Sequence, residues 1–253
     1  MLNAAQRIIK IEKEYGRKTI GPDKVYYMVK KSIQRKKAIS VIRLGDVMAK
    51  LLARQNIQSL NDVSAFLGIQ LPLSSNFRKQ LIWAVHTSDI VGLSHFEQSI
   101  KHIKAHMSRS EWSPRLVTDS FINDQLYEKG YLHDLIRRYR VVLVGRASET
   151  AARQLKQQGL KAELTINLEN AEQIPLVMQK LKAHQPQYEL VLVGASVPGR
   201  ILCAKIKSKL NVTAIEIGHI MDALSNPKVW TEESKNRTWF KQRYLRNQSK
   251  NSE

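Results

Sequence analysis

The stretch "RLGDVM", residues 43–48, places Arg43 and Asp46 on either side of Gly45, directly after the alternating apolar run "AISVI". A guanidinium can hold a phosphate, and a carboxylate can take a proton or hold a cation. Val47 and Met48 supply no second acid. Asp46 therefore has two readings: a site residue at the carboxyl end of a buried strand, or the N-cap of the helix that follows. Four apolar runs end on glycine, at Gly45, Gly145, Gly194 and Gly218. Glycine at such a place admits a ligand close to the backbone, and the next helix offers its N–H groups to an anion. That chemistry suits a phosphate- or nucleotide-sized ligand. The plain alternative is that these glycines only tighten strand–helix turns.

Other residues add less. His219 follows a strand-end glycine and is a site candidate against a structural hydrogen bond. His102 and His106 are spaced i, i+4, but "HIKAH" lacks an acid and a third ligand, so they read as structural rather than metal-binding. Cys203 is the single cysteine. It rules out an internal disulfide and reads as a buried thiol. "VGRASE" and "VGASVPGR" match neither a dinucleotide fingerprint nor a P-loop, and no GK[ST] occurs. No nucleophile elbow is present.

These residues need elements to position them. Residues 1–21 predict a basic helix and a Gly/Pro break. "DKVYYMVKKSIQRKK" has Val25, Met28, Val29 and Ile33 on one helical face. A strand over "AISVIRLG" precedes a helix from Asp46. A short helix from Asn61 or Asp62 follows, then a longer one over "SSNFRKQLIWAVHTSD" and a strand at "IVGLS". "HFEQSIKHIKAHMSR" is helical, with Phe96, Ile100 and Ile103 apolar. After "RLVTDSF", a helix with a break at Gly130 leads to "RVVLVG". Beyond it, helices, the first capped by Ser148, alternate with "AELTINL", "YELVLVG" and "VTAIEIG". Strands apolar throughout, alternating with helices, predict an α/β fold with a mostly parallel sheet covered on both faces.

The chain has 253 residues, with 41 Lys+Arg against 22 Asp+Glu and a formal charge of +19. Attraction to polyanions follows, whether nucleic acid, anionic lipid or a phosphorylated substrate. Eleven of the basic residues lie in residues 1–37, against Glu12, Glu14 and Asp23. No apolar run reaches the roughly 18 residues of a membrane span. The N-terminal sequence lacks the pattern of a Sec signal, so a cytoplasmic protein is expected. Residues 226–253 read as a basic tail carrying Trp230, Trp239 and Phe240.

In order, "SVIRLGD", "DSFINDQLYEKGYLHDLIRRYRVVLVG", "YELVLVGASVPGRILCAKI" and "AIEIGHIMD" resemble the GT-D-fold glycosyltransferases, over roughly residues 22–225. The resemblance implies a Rossmann-like domain at residues 22–225, after an N-terminal helix at 1–21 and before the tail. It implies transfer of a sugar from a nucleotide-sugar donor, a UDP-sugar in the specific expectation, to a glycan or other hydroxyl acceptor. The family's first motif reads Arg-Phe/Leu-Gly-Asp-Gly-Glu, and its two acids are implicated in holding a divalent cation and the donor diphosphate. Here Arg43, Gly45 and Asp46 match, while Val47 and Met48 replace Gly and Glu. A thioether is a soft, neutral ligand ill suited to Mg²⁺ or Mn²⁺. Asp46 is thus the sole candidate metal ligand in the motif. Asp119 and Asn123 match the next motif, and Gly145, Gly194, Pro198, Gly218 and His219 match the strand-end pattern.

Asp119, His219 and Asp222 are candidate bases, in that order. Arg43, Arg146 and Arg200 are expected to carry the diphosphate charge. An active transferase competes with a degenerate relative that binds a nucleotide sugar or glycan, or acts as a scaffold, without turnover. A nucleic-acid-binding reading has charge in its favour but no readout motif. The basic helices also suit a peripheral role on an anionic membrane surface.

Overall fold

A computed structural model describes residues 2–229. The tail aromatics Trp230, Trp239 and Phe240 lie outside the described residues. Seven strands form one sheet: β1 Ser40–Leu44, β2 Ile90–Leu93, β3 Leu116–Asp119, β4 Val141–Gly145, β5 Leu164–Ile166, β6 Leu190–Gly194 and β7 Thr213–Glu216. Their spatial order is β3-β2-β1-β7-β6-β4-β5, and every pairing is parallel. This is the α/β parallel sheet expected of the alternating pattern, in the Rossmann-like form that the resemblance implies.

The strands are apolar throughout because both faces are covered. Ile42, Leu44, Val142, Val144, Val191 and Val193 belong to one core cluster. Val41, Val141, Leu143, Leu190 and Leu192 belong to the other. The alternation between clusters is the two-residue period of a strand. On the first face lie α1 Ala4–Tyr15, α3 Asp46–Ala53, α5 Ser75–Thr87, α6 Glu97–Arg109, α10 Ile174–Ala183 and α11 Ser196–Leu210. On the second lie α2 Pro22–Gln34, α7 Ile122–Glu128, α8 Tyr131–Arg138, α9 Ser148–Gln157 and α12 Ile220–Ser225. A short α4, Ser64–Leu67, continues a 3₁₀ turn over Ile57–Val63, where the sequence predicted one helix from Asn61 or Asp62.

Local chemistry sets several boundaries. Asn3 and Gln6 form a capping box that opens α1, and Gly16 closes it at φ +62°. Gly130, at φ +73°, separates α7 from α8 as predicted. Three expectations are corrected. The N-cap of α3 is Gly45, with no side-chain cap bond, so Asp46 is the first helical residue rather than the cap. Ala147, not Ser148, precedes α9, and Ser148 Oγ instead donates to the Ile166 carbonyl at 3.3 Å. Phe96 is the N-cap of α6 and is 44% exposed, so it is not on that helix's buried face.

Candidate functional site

A cavity of about 650 Å³ opens at the carboxyl ends of β1, β4, β6 and β7. Small-molecule sites typically span about 300–1,000 Å³ and collect at this edge of parallel sheets. β4 and β6 are neighbours, yet the chain leaves β4 for the edge strand β5 and leaves β6 for the central β7. The crevice between their outgoing connections is a topological switch point. The N-terminal residues of α3, α9 and α11 line the cavity, with Ser59, Leu60, Val63, Phe66 and Leu67 on another wall. The cations on its lining are Arg43, Lys50, Arg146 and Arg200, and the acids are Asp46, Glu216 and Asp222.

Beneath it lies a buried ionic network. Arg43, on β1, meets Glu216, on β7, through two bonds: Nε to Oε2 at 2.8 Å and Nη2 to Oε1 at 2.9 Å. Its Nη1 donates to Asn123 Oδ1 at 2.8 Å and to the Ser120 carbonyl at 3.3 Å. Asn123 Nδ2 donates in turn to the Ile217 carbonyl at 2.9 Å. Arg200 Nη2 lies 3.4 Å from Glu216 Oε2, and Arg200 Nε donates to the Arg43 carbonyl at 3.2 Å. One carboxylate thus serves two guanidiniums. Burial opposes charge on Arg43, but Glu216, helped by Asp124 and Asp119, more than offsets it and raises the pKa of Arg43. Nearby Cys203 is free and fully buried, and burial and then Glu216 push its thiol up well above the ordinary range.

Gly218 makes room for this network, and Gly194 lets α12 close on β6. A Cβ on Gly218, at φ +52°, would fall 2.2 Å from Arg43 Nη2. One on Gly194 would meet Met221 Cβ at 2.4 Å. Both residues also line the cavity. Gly145 and Pro198 do not. A Cβ on Gly145 would strike the Gly194 carbonyl at 2.5 Å, so its part is close strand packing. Pro198 is buried and sits against the Gly68 turn.

The acid and base candidates separate. Asp46 is exposed at the cavity lining, at the start of α3, where it favours the helix dipole without capping the helix. Asp222 is also exposed there. His219 Nε2 lies 2.9 Å from Asp124 Oδ1 on α7. Asp119 is placed elsewhere, buried at the end of β3 and off the cavity lining. Its Oδ2 accepts from Arg7 Nε at 2.6 Å and from Gln125 Nε2 at 2.9 Å, and its Oδ1 from the Phe121 N–H at 3.0 Å. Asn123 too is off the lining and acts through Arg43.

The far wall is pinned by cations. Arg146 Nη2 donates to the Phe66 carbonyl at 3.0 Å, and its guanidinium sits 5.2 Å from the Phe66 ring centre. Lys50 Nζ donates to Ser59 Oγ at 2.8 Å. Sequence reasoning did not single out Lys50, Phe66, Asp124 or Glu216. For Glu216 a signal existed: an acid within the apolar run "TAIEIG" must find a buried partner.

The donor set does not fit a divalent cation chelated by the protein alone. Such an ion takes several hard oxygen ligands. Among the described residues no group of three or more His, Cys, Asp or Glu is placed to hold a metal. Met48, where a second carboxylate would be needed, is 1% exposed and packed in the core.

The parallel sheet and its switch-point cavity define a Rossmann-like α/β domain. A family model described as a GT-D fold-like domain matches residues 20–224, and the chain belongs to that family. A solved structure described as the highly conserved domain of unknown function 1792, with a distinct glycosyltransferase fold, is similar at TM-score 0.56 and 18% identity. That match covers 85% of this chain and 82% of the other. A structure described as a new glycosyltransferase from Streptococcus sanguinis is similar at TM-score 0.51 and 14% identity, over 77% of this chain and 80% of the other. No curated protein matches. Among the described residues no helix is long and apolar enough to cross a membrane.

Proposed function

We propose that the protein is a glycosyltransferase that takes a nucleotide-diphosphate sugar, in the specific case a UDP-sugar, and transfers the sugar to a hydroxyl of a glycan or other acceptor. The observation that carries the reading is the cavity at the carboxyl ends of β1, β4, β6 and β7. It is lined by Arg43, Lys50, Arg146 and Arg200 and by the starts of α3, α9 and α11, in a chain of the GT-D-like family.

Glycosyl transfer has three demands. The leaving diphosphate gains charge as the sugar–phosphate bond breaks, and fixed positive charge stabilises it. Arg146 and Arg200 fill that role here, with Lys50 behind them. Arg43 contributes less directly, because Glu216 already answers its charge. The helix N-termini add N–H donors. A base must take the acceptor proton. His219, oriented by Asp124, is the proposed base, with Asp222 the alternative and Asp119 disfavoured by its three bonds to other groups. Asp46 is assigned to the donor side of the cavity. The pocket must also hold the sugar in line with the acceptor. Mn²⁺ or Mg²⁺ would enter only as a companion of the diphosphate at Asp46, and no step above requires it.

A second reading, a donor-binding relative without turnover, is favoured by one observation: Met48 in place of the motif's glutamate. One experiment separates them. The full chain is screened for thermal shift against nucleotide sugars with EDTA or Mn²⁺, and each stabilising donor is then assayed for release of nucleoside diphosphate with simple sugar acceptors. A shift in EDTA with turnover supports the transferase. A shift without turnover across acceptors supports the binding relative. Turnover abolished by EDTA and restored by Mn²⁺ would refute the arginine-based account of the diphosphate.

A further inference from the structure

One dense stretch of the basic surplus lies away from the cavity. Residues 22–37 carry Lys24, Lys30, Lys31, Arg35, Lys36 and Lys37 against the single acid Asp23. None of them lines the cavity. Asp23 is already engaged: Lys129 Nζ bonds both its oxygens at 3.0 Å, and the Tyr131 hydroxyl donates to it. Those bonds, Tyr131 first and Lys129 second, hold its pKa below the usual carboxylate value.

The same face carries exposed aromatic surface. Val25 and Val29 turn α2 toward the core and are fully buried. On the outer side Tyr27 is 52% exposed, with Lys24 Nζ at 5.7 Å and Lys31 Nζ at 5.5 Å from its ring centre. Beside it Tyr26 stacks on Tyr131 at 4.3 Å, with Lys30 Nζ 5.0 Å from the Tyr26 ring.

We propose that the outer face of α2, Lys24, Tyr27, Lys30 and Lys31 with Arg35, Lys36 and Lys37, docks the protein on an anionic lipid bilayer. Tyrosine suits the boundary between headgroups and acyl chains, with an apolar ring and a polar tip. Lysine stems lie along apolar surface while their ammonium groups stay with phosphate. A row of cationic side chains along one helix suits a broad charged plane. Nucleic acid fits less well. Single-strand binding uses open aromatic faces for base stacking, whereas Tyr26 and Tyr131 stack on each other and ammonium groups neighbour the Tyr27 ring.

The test is sedimentation of the full chain with phosphatidylcholine vesicles, with and without phosphatidylglycerol, at physiological salt. Three variants are compared with the native chain: Lys24→Glu/Lys31→Glu, Tyr27→Ala, and the control Lys156→Glu/Lys182→Glu. The control makes the same charge change at exposed positions on α9 and α10. Melting curves establish that each variant is folded. The expected result is binding only to the anionic vesicles, about tenfold or more weaker in the α2 double variant, weaker in Tyr27→Ala, and little changed in the control. Equal loss in the two double variants would make the effect one of net charge and overturn the proposal. So would undiminished binding of the α2 variants. Failure to bind vesicles, with duplex DNA bound through the same lysines, would assign the face to nucleic acid instead. None of these outcomes depends on what the cavity binds.

Discussion

The Glu216 carboxylate answers two guanidiniums at once. Arg43 and Glu216 hold β1 against β7 from within the core, and Arg200 shares the same carboxylate. A buried pair is little help to stability against an apolar alternative, but breaking it is expensive. Glu216→Gln leaves two guanidiniums with half their partner. Chemical denaturation of this variant should reveal a loss of about 3–5 kcal/mol. Met48 carries the opposite expectation. Its side chain belongs to the core cluster and also borders the cavity, so Met48→Leu, which keeps an apolar group of similar volume there, should cost under about 1.5 kcal/mol and leave donor binding unchanged. A large drop in donor affinity in Met48→Leu would give the sulfur a role in the site. Asp46→Asn should leave the melting temperature near the native value, because Gly45 and not Asp46 is the cap, while lowering turnover.

A pH effect belongs to the same scale. His106 is buried against His86, the two Nε2 atoms 3.1 Å apart, with His86 stacked on Trp112. Burial first, then His86 and Arg109, lower its pKa from 6.5 to about 4. The unfolded chain therefore binds a proton that the fold refuses between those values. The stability involved is present above pH 6.5 and is lost as pH falls toward 4, by up to about 3 kcal/mol. His86, His102 and His133 are shifted the same way by burial. Melting temperature should fall from pH 7 to pH 4.5, and His106→Asn should flatten that slope.

At the scale of elements, glycines decide how closely the strand ends and helix starts can approach. Gly218→Ala would strain a backbone at φ +52° and press on Arg43, so both stability and activity should fall. Gly194→Ala forces β6 away from α12 and should cost about 1–3 kcal/mol in denaturation, as overpacking does. The elements themselves were legible because each leaves a local mark. Short, β-branched, fully apolar runs such as "VVLVG" that end on glycine read as strands covered on both sides, and Gly130 marks a helix break by its own backbone preference. What was not legible depended on neighbours distant in sequence. Nothing near Asp119 announces that Arg7, on α1, will occupy it. Nothing near Phe66 announces Arg146. Ile57–Val63 forms a 3₁₀ turn rather than a simple helix, and its Ser59, Leu60 and Val63 line the cavity.

For the whole molecule, one parallel sheet brings chemistry from strands far apart in the chain to a single edge. The resemblance motifs pointed to that edge, and Asp46, His219, Asp222, Arg43, Arg146 and Arg200 do line one cavity. Local pattern could not divide the motif residues between lining and support, since that division rests on where distant elements place each side chain relative to the cavity. Asp119, Asn123, Gly145 and Pro198 fall on the supporting side. If the cavity binds a nucleoside diphosphate through its arginines, calorimetric titration of UDP, in EDTA, should show binding to the native chain and about tenfold weaker binding to Arg146→Ala. No binding to the native chain, or equal affinity in both, would contradict binding through the arginines.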